Sequence, residues 1–243
     1  MQIANRESFA VASPRRRLPY DAEVEYLQSS GTQYIDTRVP LYSDMRIKIS
    51  LRGLTFANNT MIFGSNASTS TSAGQFSVGM FRYDNYNLIT SNYNKTTSSF
   101  SGMSYGDATH QIEKVGNKTY LDGTLKLSVS EVSRYYAGGN CYIFWAAGNH
   151  SGVFANKARA NVRSFLLCDS AGNALFDGIA VRVGSGSSAV GYMYDRVGGQ
   201  LFGNAGTGSF VTGLDLAGGG GEWLRYLVSC SSAHSTRLWK EAA

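Results

Sequence analysis

About a dozen short runs of alternating apolar and polar residues, separated by Gly, Asn, Asp and Ser, occupy residues 22–213 of this chain. In 45–51, for example, the apolar side chains of Met45, Ile47, Ile49 and Leu51 fall on one face of a strand. No helical pattern separates the runs, so the strands are expected to pair antiparallel. The sequence therefore predicts an all-β, antiparallel two-sheet β-sandwich. The predicted strands are 22–28, 32–36, 45–51, 60–64, 75–81, 86–91, 109–115, 118–122, 124–129, 140–146, 161–168, 174–183, 189–194 and 199–202.

The dipeptide Asp122-Gly123 is the strongest local signal in the chain. Both residues tolerate positive φ, which a two-residue type I′ hairpin requires. We therefore predict a hairpin here, with Leu125, Leu127 and Val129 of its second strand on one apolar face.

The composition excludes several classes of protein. Only 16% of the residues are charged and 12% are aromatic, whereas disordered chains are charged and poor in aromatics. The net charge of +5 is scattered, and nucleic-acid binders usually carry a dense basic stripe. We expect no nucleic-acid partner.

The two ends of the chain differ from its middle. Residues 1–21 lack periodicity and carry Arg15, Arg16 and Arg17, so we predict an N-terminal docking arm. A run of four glycines at 218–221 marks 214–243 as a flexible joint followed by an appendage that could be helix or strand. We see no signal peptide and no apolar run long enough to span a membrane.

Three cysteines, Cys141, Cys168 and Cys230, fit no metal-binding or redox spacing. Two of them lie in apolar runs, so we expect buried free thiols in a reducing compartment.

Several separated motifs resemble laminin-G-like, concanavalin A-like jelly-roll domains of gut bacterial and bacteriophage proteins. They are VEYLQSSGTQYIDTRV (24–39), IFG (62–64), FSVGMF (76–81), HQIEK (110–114), YLDG (120–123), YIFWA (142–146) and the stretches 158–183 and 190–210. The resemblance covers about 22–213 and implies a jelly roll that binds carbohydrate or protein, sometimes with calcium. His110 matches a position where such domains commonly have histidine, and we interpret it as structural.

Catalytic signatures are missing from the sequence. A retaining glycanase of this fold would carry E-x-D-x-E or E-x-D-x-x-E on one strand, and neither occurs. We interpret the pair Glu23 and Glu25 as a solvated outer face, and we expect no enzymatic activity.

A sugar site needs aromatic rings for stacking and amide or carboxylate groups for hydroxyls. Two stretches are rich in such residues, and they supply our candidate ligand-binding residues. These are Tyr83, Asp84, Asn85, Tyr86, Asn92, Tyr93, Trp145 and Asn149. For calcium, the single acidic cluster is Asp169, Asn173 and Asp177, which we interpret as turn chemistry, so we expect no cofactor.

Together these features favour a non-catalytic, lectin-like binding and display module. The resemblance favours a bacteriophage virion protein, such as a head-fibre, decoration or tail-associated component, assembled in the host cytoplasm. The partners would be a cell-surface or mucin-type glycan and other virion proteins, and a homo-oligomer would supply avidity. The alternatives are a glycan-cleaving enzyme of the same fold and a structural virion part without a ligand.

Overall fold

A computed structural model describes residues 18–52, 60–66, 77–82, 88–92, 95–100, 108–128, 134, 136–145 and 156–216. Within these ranges the chain forms eighteen β-strands, β1 to β18, a single 3-10 turn at Gly186–Ser188 and no α-helix. None of these described segments forms a helix long and apolar enough to cross a membrane. The prediction of an all-β protein is confirmed.

The larger sheet has eleven strands in the described part of the chain. Its main order is β11-β10-β9-β4-β14-β15-β16-β17, with β1 beside β15 and β2 between β14 and β18. All of its pairs are antiparallel. The strands are β1 (Ala22–Glu23), β2 (Leu27–Gln28), β4 (Arg46–Arg52), β9 (Thr109–Val115), β10 (Lys118–Leu121), β11 (Thr124–Ser128), β14 (Asn161–Cys168), β15 (Ala174–Val183), β16 (Val190–Asp195), β17 (Gln200–Phe202) and β18 (Val211–Thr212).

The smaller sheet has seven described strands in the order β3-β12-β5-β6-β7-β8, and β13 pairs with β5. The β13–β5 pair is parallel and the others are antiparallel. The strands are β3 (Ile35–Tyr42), β5 (Thr60–Asn66), β6 (Ser77–Arg82), β7 (Leu88–Asn92), β8 (Lys95–Phe100), β12 (Tyr136–Ile143) and β13 (Asn156–Lys157).

One apolar core joins the two sheets. Ile47, Ile49 and Leu51 of β4 are fully buried, as their alternation predicts. Phe165 of β14 meets Phe63 of β5 edge to face, with ring centroids 5.7 Å apart. A core shared by two antiparallel sheets fits a β-sandwich.

The predicted hairpin forms, but its second strand differs from the prediction. Asp122 and Gly123 have φ of 50° and 79°, as a type I′ turn requires. The register of β10 with β11 shifts between Thr119 and Tyr120, which is a β-bulge. Leu127 is buried, whereas Leu125 is 49% exposed. The expectation that both lie on one buried face was wrong, because the bulge changes the alternation. Val129 lies outside the described residues.

The loop 29–34, which belongs to the first motif of the resemblance, is held together by the buried side chain of Gln33. Its Oε1 accepts hydrogen bonds from the backbone N–H of Ser30 and the hydroxyl of Ser29. Its Nε2 donates to the carbonyl oxygen of Ser209. A Cβ on Gly206 would collide with the carbonyl oxygen of Thr32, so the loop that contains Gly206 packs backbone to backbone on loop 29–34. This motif therefore has a structural role.

The second and the last described strands, β2 and β18, pair with each other. Leu27 and Gln28 of β2 lie opposite Thr212 and Val211 of β18, and Val24 forms an isolated bridge with Asp215. β1 lies beside the end of β15, and β2 beside the start of β14. Segment 22–28 is thus two short strands rather than the single predicted one.

The cysteines differ from the expectation of three free thiols. Cys141 is free and fully buried, and burial raises the pKa of its thiol. Cys168, at the end of β14, is disulfide-bonded, so the free-thiol prediction was wrong for this residue. Cys230 lies outside the described residues.

Candidate functional site

Three aromatic rings form a cluster beside the β3–β12 pair. The centroid of Trp145 lies 4.6 Å from that of Tyr34 and 5.3 Å from that of Tyr142, and the two tyrosine rings are 5.9 Å apart. All three residues are half-buried. We call Tyr34, Tyr142, Trp145 and the adjacent Lys157 the Trp145 cluster.

The strand alternation explains why the rings meet. Cys141 and Ile143 of β12 point into the core, so Tyr142 between them points outward. Tyr142 lies opposite Asp36 of β3, and Ile143 opposite Ile35. Tyr34 precedes β3 and continues its outward row next to Tyr142, and its side chain also packs in part against the core.

Lys157 of β13 completes the cluster. Its Nζ lies 5.1 Å from the ring centroid of Trp145 and 5.4 Å from that of Tyr34, within the range of cation–π contacts. The indole Nε1 of Trp145 is buried and has no hydrogen-bond partner. Aromatic and cation–π contacts therefore position this ring.

Polar groups lie next to the rings. Asp36 Oδ1 accepts hydrogen bonds from the backbone N–H of Arg38 at 2.8 Å and from Nδ2 of Asn140 at 3.0 Å. Partial burial, reinforced by the Asp36 carboxylate, raises the pKa of the Tyr142 hydroxyl. The hydroxyl of Tyr142 therefore remains protonated at neutral pH and can donate a hydrogen bond.

Of the ligand-binding residues predicted from sequence, Trp145 is the one whose side chain the structure describes. Asn92 is the last residue of β7, where its backbone pairs with Val78 and Lys95. The other predicted residues, namely Tyr83, Asp84, Asn85, Tyr86, Tyr93 and Asn149, lie outside the described residues, as do Arg15, Arg16 and Arg17 of the predicted docking arm.

Sequence reasoning missed Tyr34, Tyr142 and Lys157. They come from three separate strand regions, and no local pattern connects them with Trp145. A partial signal existed, because outward tyrosines on strands beside a tryptophan can be identified from alternation alone.

The carboxylates considered as calcium ligands make hydrogen bonds and ion pairs with other protein groups. Asp169 accepts hydrogen bonds from the backbone N–H and from Nδ2 of Asn173, both at 2.8 Å, and these bonds lower the pKa of its carboxyl. Asp177 instead pairs with Arg196 at 2.8 Å. Asp169 and Asn173 therefore close the β14–β15 turn. Within the described ranges no group of three or more His, Cys, Asp or Glu could hold a metal ion.

The three acidic residues in and beside β1, namely Asp21, Glu23 and Glu25, also have partners. Glu25 pairs with Nη1 of Arg52 at 2.7 Å, and Glu23 accepts a hydrogen bond from the hydroxyl of Tyr20. Asp21 extends the alternation to a third acid and accepts a hydrogen bond from the backbone N–H of Gly184. The side chain of Glu23 is half-buried rather than fully solvated, and this burial raises the pKa of its carboxyl.

The fold and this surface define an all-β, two-sheet protein with an aromatic and cationic cluster on the outer face of one sheet. Neither a family model nor a curated protein matches the chain.

Proposed function

We propose that this protein is a non-catalytic, lectin-like binding and display module, and that the Trp145 cluster is its glycan-binding surface. The proposal rests on one observation: a tryptophan and two tyrosines converge, half-buried, on the outer face of the smaller sheet. Rings held in this way stack on the apolar face of a sugar at low entropic cost, because they are already ordered.

The polar neighbours suit the same role. The hydroxyl of Tyr142 and the amide of Asn140 are donors beside the rings, and the ammonium group of Lys157 lies over the rings of Trp145 and Tyr34. A few fixed polar groups beside an apolar platform set the orientation of a bound small molecule.

We further propose a concanavalin A-like jelly roll that belongs to a phage virion. The two antiparallel sheets with one shared core support the fold, and the motif resemblance supports the setting. In this proposal the residues before 18 and after 216 attach the module to a larger assembly, because Tyr20, Asp21 and Asp215 make their contacts within the domain. Several copies on one particle would turn weak single-site binding into useful avidity.

Glycan-array binding of the full chain, presented as a multivalent particle-bound form, tests this function. We expect binding that falls at least tenfold in Trp145→Ala, because one lost stacking contact costs about 1 kcal/mol per site and copies multiply the effect. Tyr194→Ala is the matched control, since Tyr194 is equally half-buried and packs on Tyr20 at 5.0 Å. Binding that survives Trp145→Ala unchanged would place the ligand elsewhere.

A further inference from the structure

A second aromatic and cationic cluster lies at the other end of the same β3–β12 pair. The ring centroids of Tyr42 and Tyr136 are 5.4 Å apart, and Cζ of Arg134 lies 4.2 Å from the ring centroid of Tyr42. Tyr136 is 47% exposed. We call these three residues the Tyr136 cluster.

The two clusters lie on one face. Tyr136, Gly138, Asn140 and Tyr142 alternate with inward Ala137 and Cys141 along β12. Tyr136 lies opposite Tyr42, and Tyr142 opposite Asp36. The pairing of β12 with β3 shifts register on both sides of Asn140. Since a regular strand rises about 3.3 Å per residue, the two clusters are at most about 20 Å apart along β12.

Along β12, the residues between the two clusters are small, point inward or are held by a hydrogen bond. Gly138 is exposed and has φ of 84°, a conformation that favours glycine, and the compact Pro40 of β3 lies opposite Asn140. The Nδ2 group of Asn140 donates a hydrogen bond to Asp36, which holds this side chain against β3. The long exposed side chain between the clusters on β3 is Arg38, and its guanidinium lies over the ring of Phe202 on β17, 5.5 Å from the centroid.

From this arrangement we infer that the ligand is a linear glycan of several sugar units, which lies along the β3–β12 pair and stacks on the Trp145 cluster and the Tyr136 cluster at once. This inference rests on the proposed function but goes beyond it. A terminal or branched sugar needs one aromatic platform. Two platforms on one face bind a linear glycan more tightly when it is long enough to contact both.

The test uses size-graded linear cello-, xylo-, galacturono- and hyaluronan-oligosaccharides, measured by calorimetry against the full chain. We expect the long oligomers of at least one series to bind about tenfold more tightly than its short ones, because the second platform adds one aromatic contact. Tyr136→Ala should remove that difference and leave the short oligomers unaffected, while Tyr136→Phe should retain it. Tyr192→Ala, on the larger sheet, controls for loss of an aromatic side chain.

The outcomes separate this inference from the proposed function. If short and long oligomers bind equally and Trp145→Ala abolishes both, the second platform is wrong and the glycan-binding function stands. If no series binds, the function and the inference both fail. Retention of the length effect in Tyr136→Ala would also overturn the inference.

Discussion

Nδ1 of His110 lies 2.8 Å from Oδ2 of Asp122, so the start of β9 is joined to the hairpin turn between β10 and β11. The other oxygen of Asp122 accepts the backbone N–H of Gln111 at 2.7 Å. His110 is largely buried, and this contact gives it the structural role that its place in the motif predicts.

The Asp122 contacts should contribute measurably to stability. Asp122→Ala removes two acceptors and places a less suitable residue at φ of 50°, so we expect the free energy of unfolding to fall by about 1–3 kcal/mol. Asp122→Asn keeps an acceptor for Gln111 and tolerates positive φ, so it should lose less. Urea denaturation of the two variants checks this, and equal stability of wild type and Asp122→Ala would contradict it.

The buried amine of Lys114 should make the stability of the protein depend on pH. Its Nζ is buried and donates to the carbonyl oxygens of Ser43 and Gly116, and burial, partly offset by Asp44, lowers its pKa from 10.5 to about 8. Between these two values the unfolded chain binds a proton that the folded chain has released. Stability therefore rises with pH across this window, and below pH 8 the gain is absent.

The matched variant is Lys114→Met, which keeps the length of the side chain and removes the amine. The stability difference, wild type minus variant, should grow by about 3 kcal/mol from pH 8 to 10.5, because each pKa unit corresponds to about 1.4 kcal/mol. Taking the difference cancels other groups, such as Cys141 and Tyr20, whose raised pKa values act in both proteins. Denaturation curves at several pH values measure it, and a flat difference would show that Lys114 titrates normally.

Gln33 should contribute more to the stability of the protein than an exposed glutamine does. Gln33→Ala leaves the buried hydroxyl of Ser29 and the carbonyl oxygen of Ser209 without this partner, so we expect a loss of about 1–3 kcal/mol in stability. Gln111→Ala, at an exposed glutamine, should change stability by less than about 0.5 kcal/mol. Thermal unfolding of both variants compares them, and similar melting temperatures would refute the loop-organising role.

The disulfide at Cys168 predicts a pattern of chemical labelling. In denaturant without reductant, iodoacetamide should modify Cys141, whose thiol is free once unfolding exposes it. The peptide that contains Cys168 should be modified after reduction and not before. Peptide mass spectrometry reads both sites, and labelling of Cys168 without reductant would show a free thiol.

The first-strand carboxylates should be dispensable for function. Glu25 pairs with Arg52 and Glu23 accepts from Tyr20, so the double variant Glu23→Gln, Glu25→Gln should retain any glycan binding. No reducing sugar should be released by either protein. Release by the wild type that disappears in the double variant would establish a glycanase instead.

Strand alternation predicted much of the fold, because burial of one face forces a period of two. β15 (Ala174–Val183) begins and ends where its pattern does. The pattern failed at Leu125, where a bulge depends on pairing with β10, and at Cys168, whose bond depends on the three-dimensional structure.

The candidate site was less predictable than the fold. Trp145 could be selected for its chemistry, but its neighbours could not be identified from local sequence. Tyr34 and Tyr142 are distant in the chain and meet because β3 pairs with β12. Side-chain convergence of this kind depends on sheet order, which composition and spacing do not encode.

The pairing of β2 with β14 and β18 has a consequence for biosynthesis. β2 has no strand partner until β14 and then β18, more than 130 and 180 residues further along the chain, have left the ribosome. Contacts so distant in sequence slow folding, and an unpaired strand edge can meanwhile bind another nascent chain. Completion of the larger sheet must therefore wait until residue 216 is available, and during that interval the unpaired edges expose the chain to aggregation.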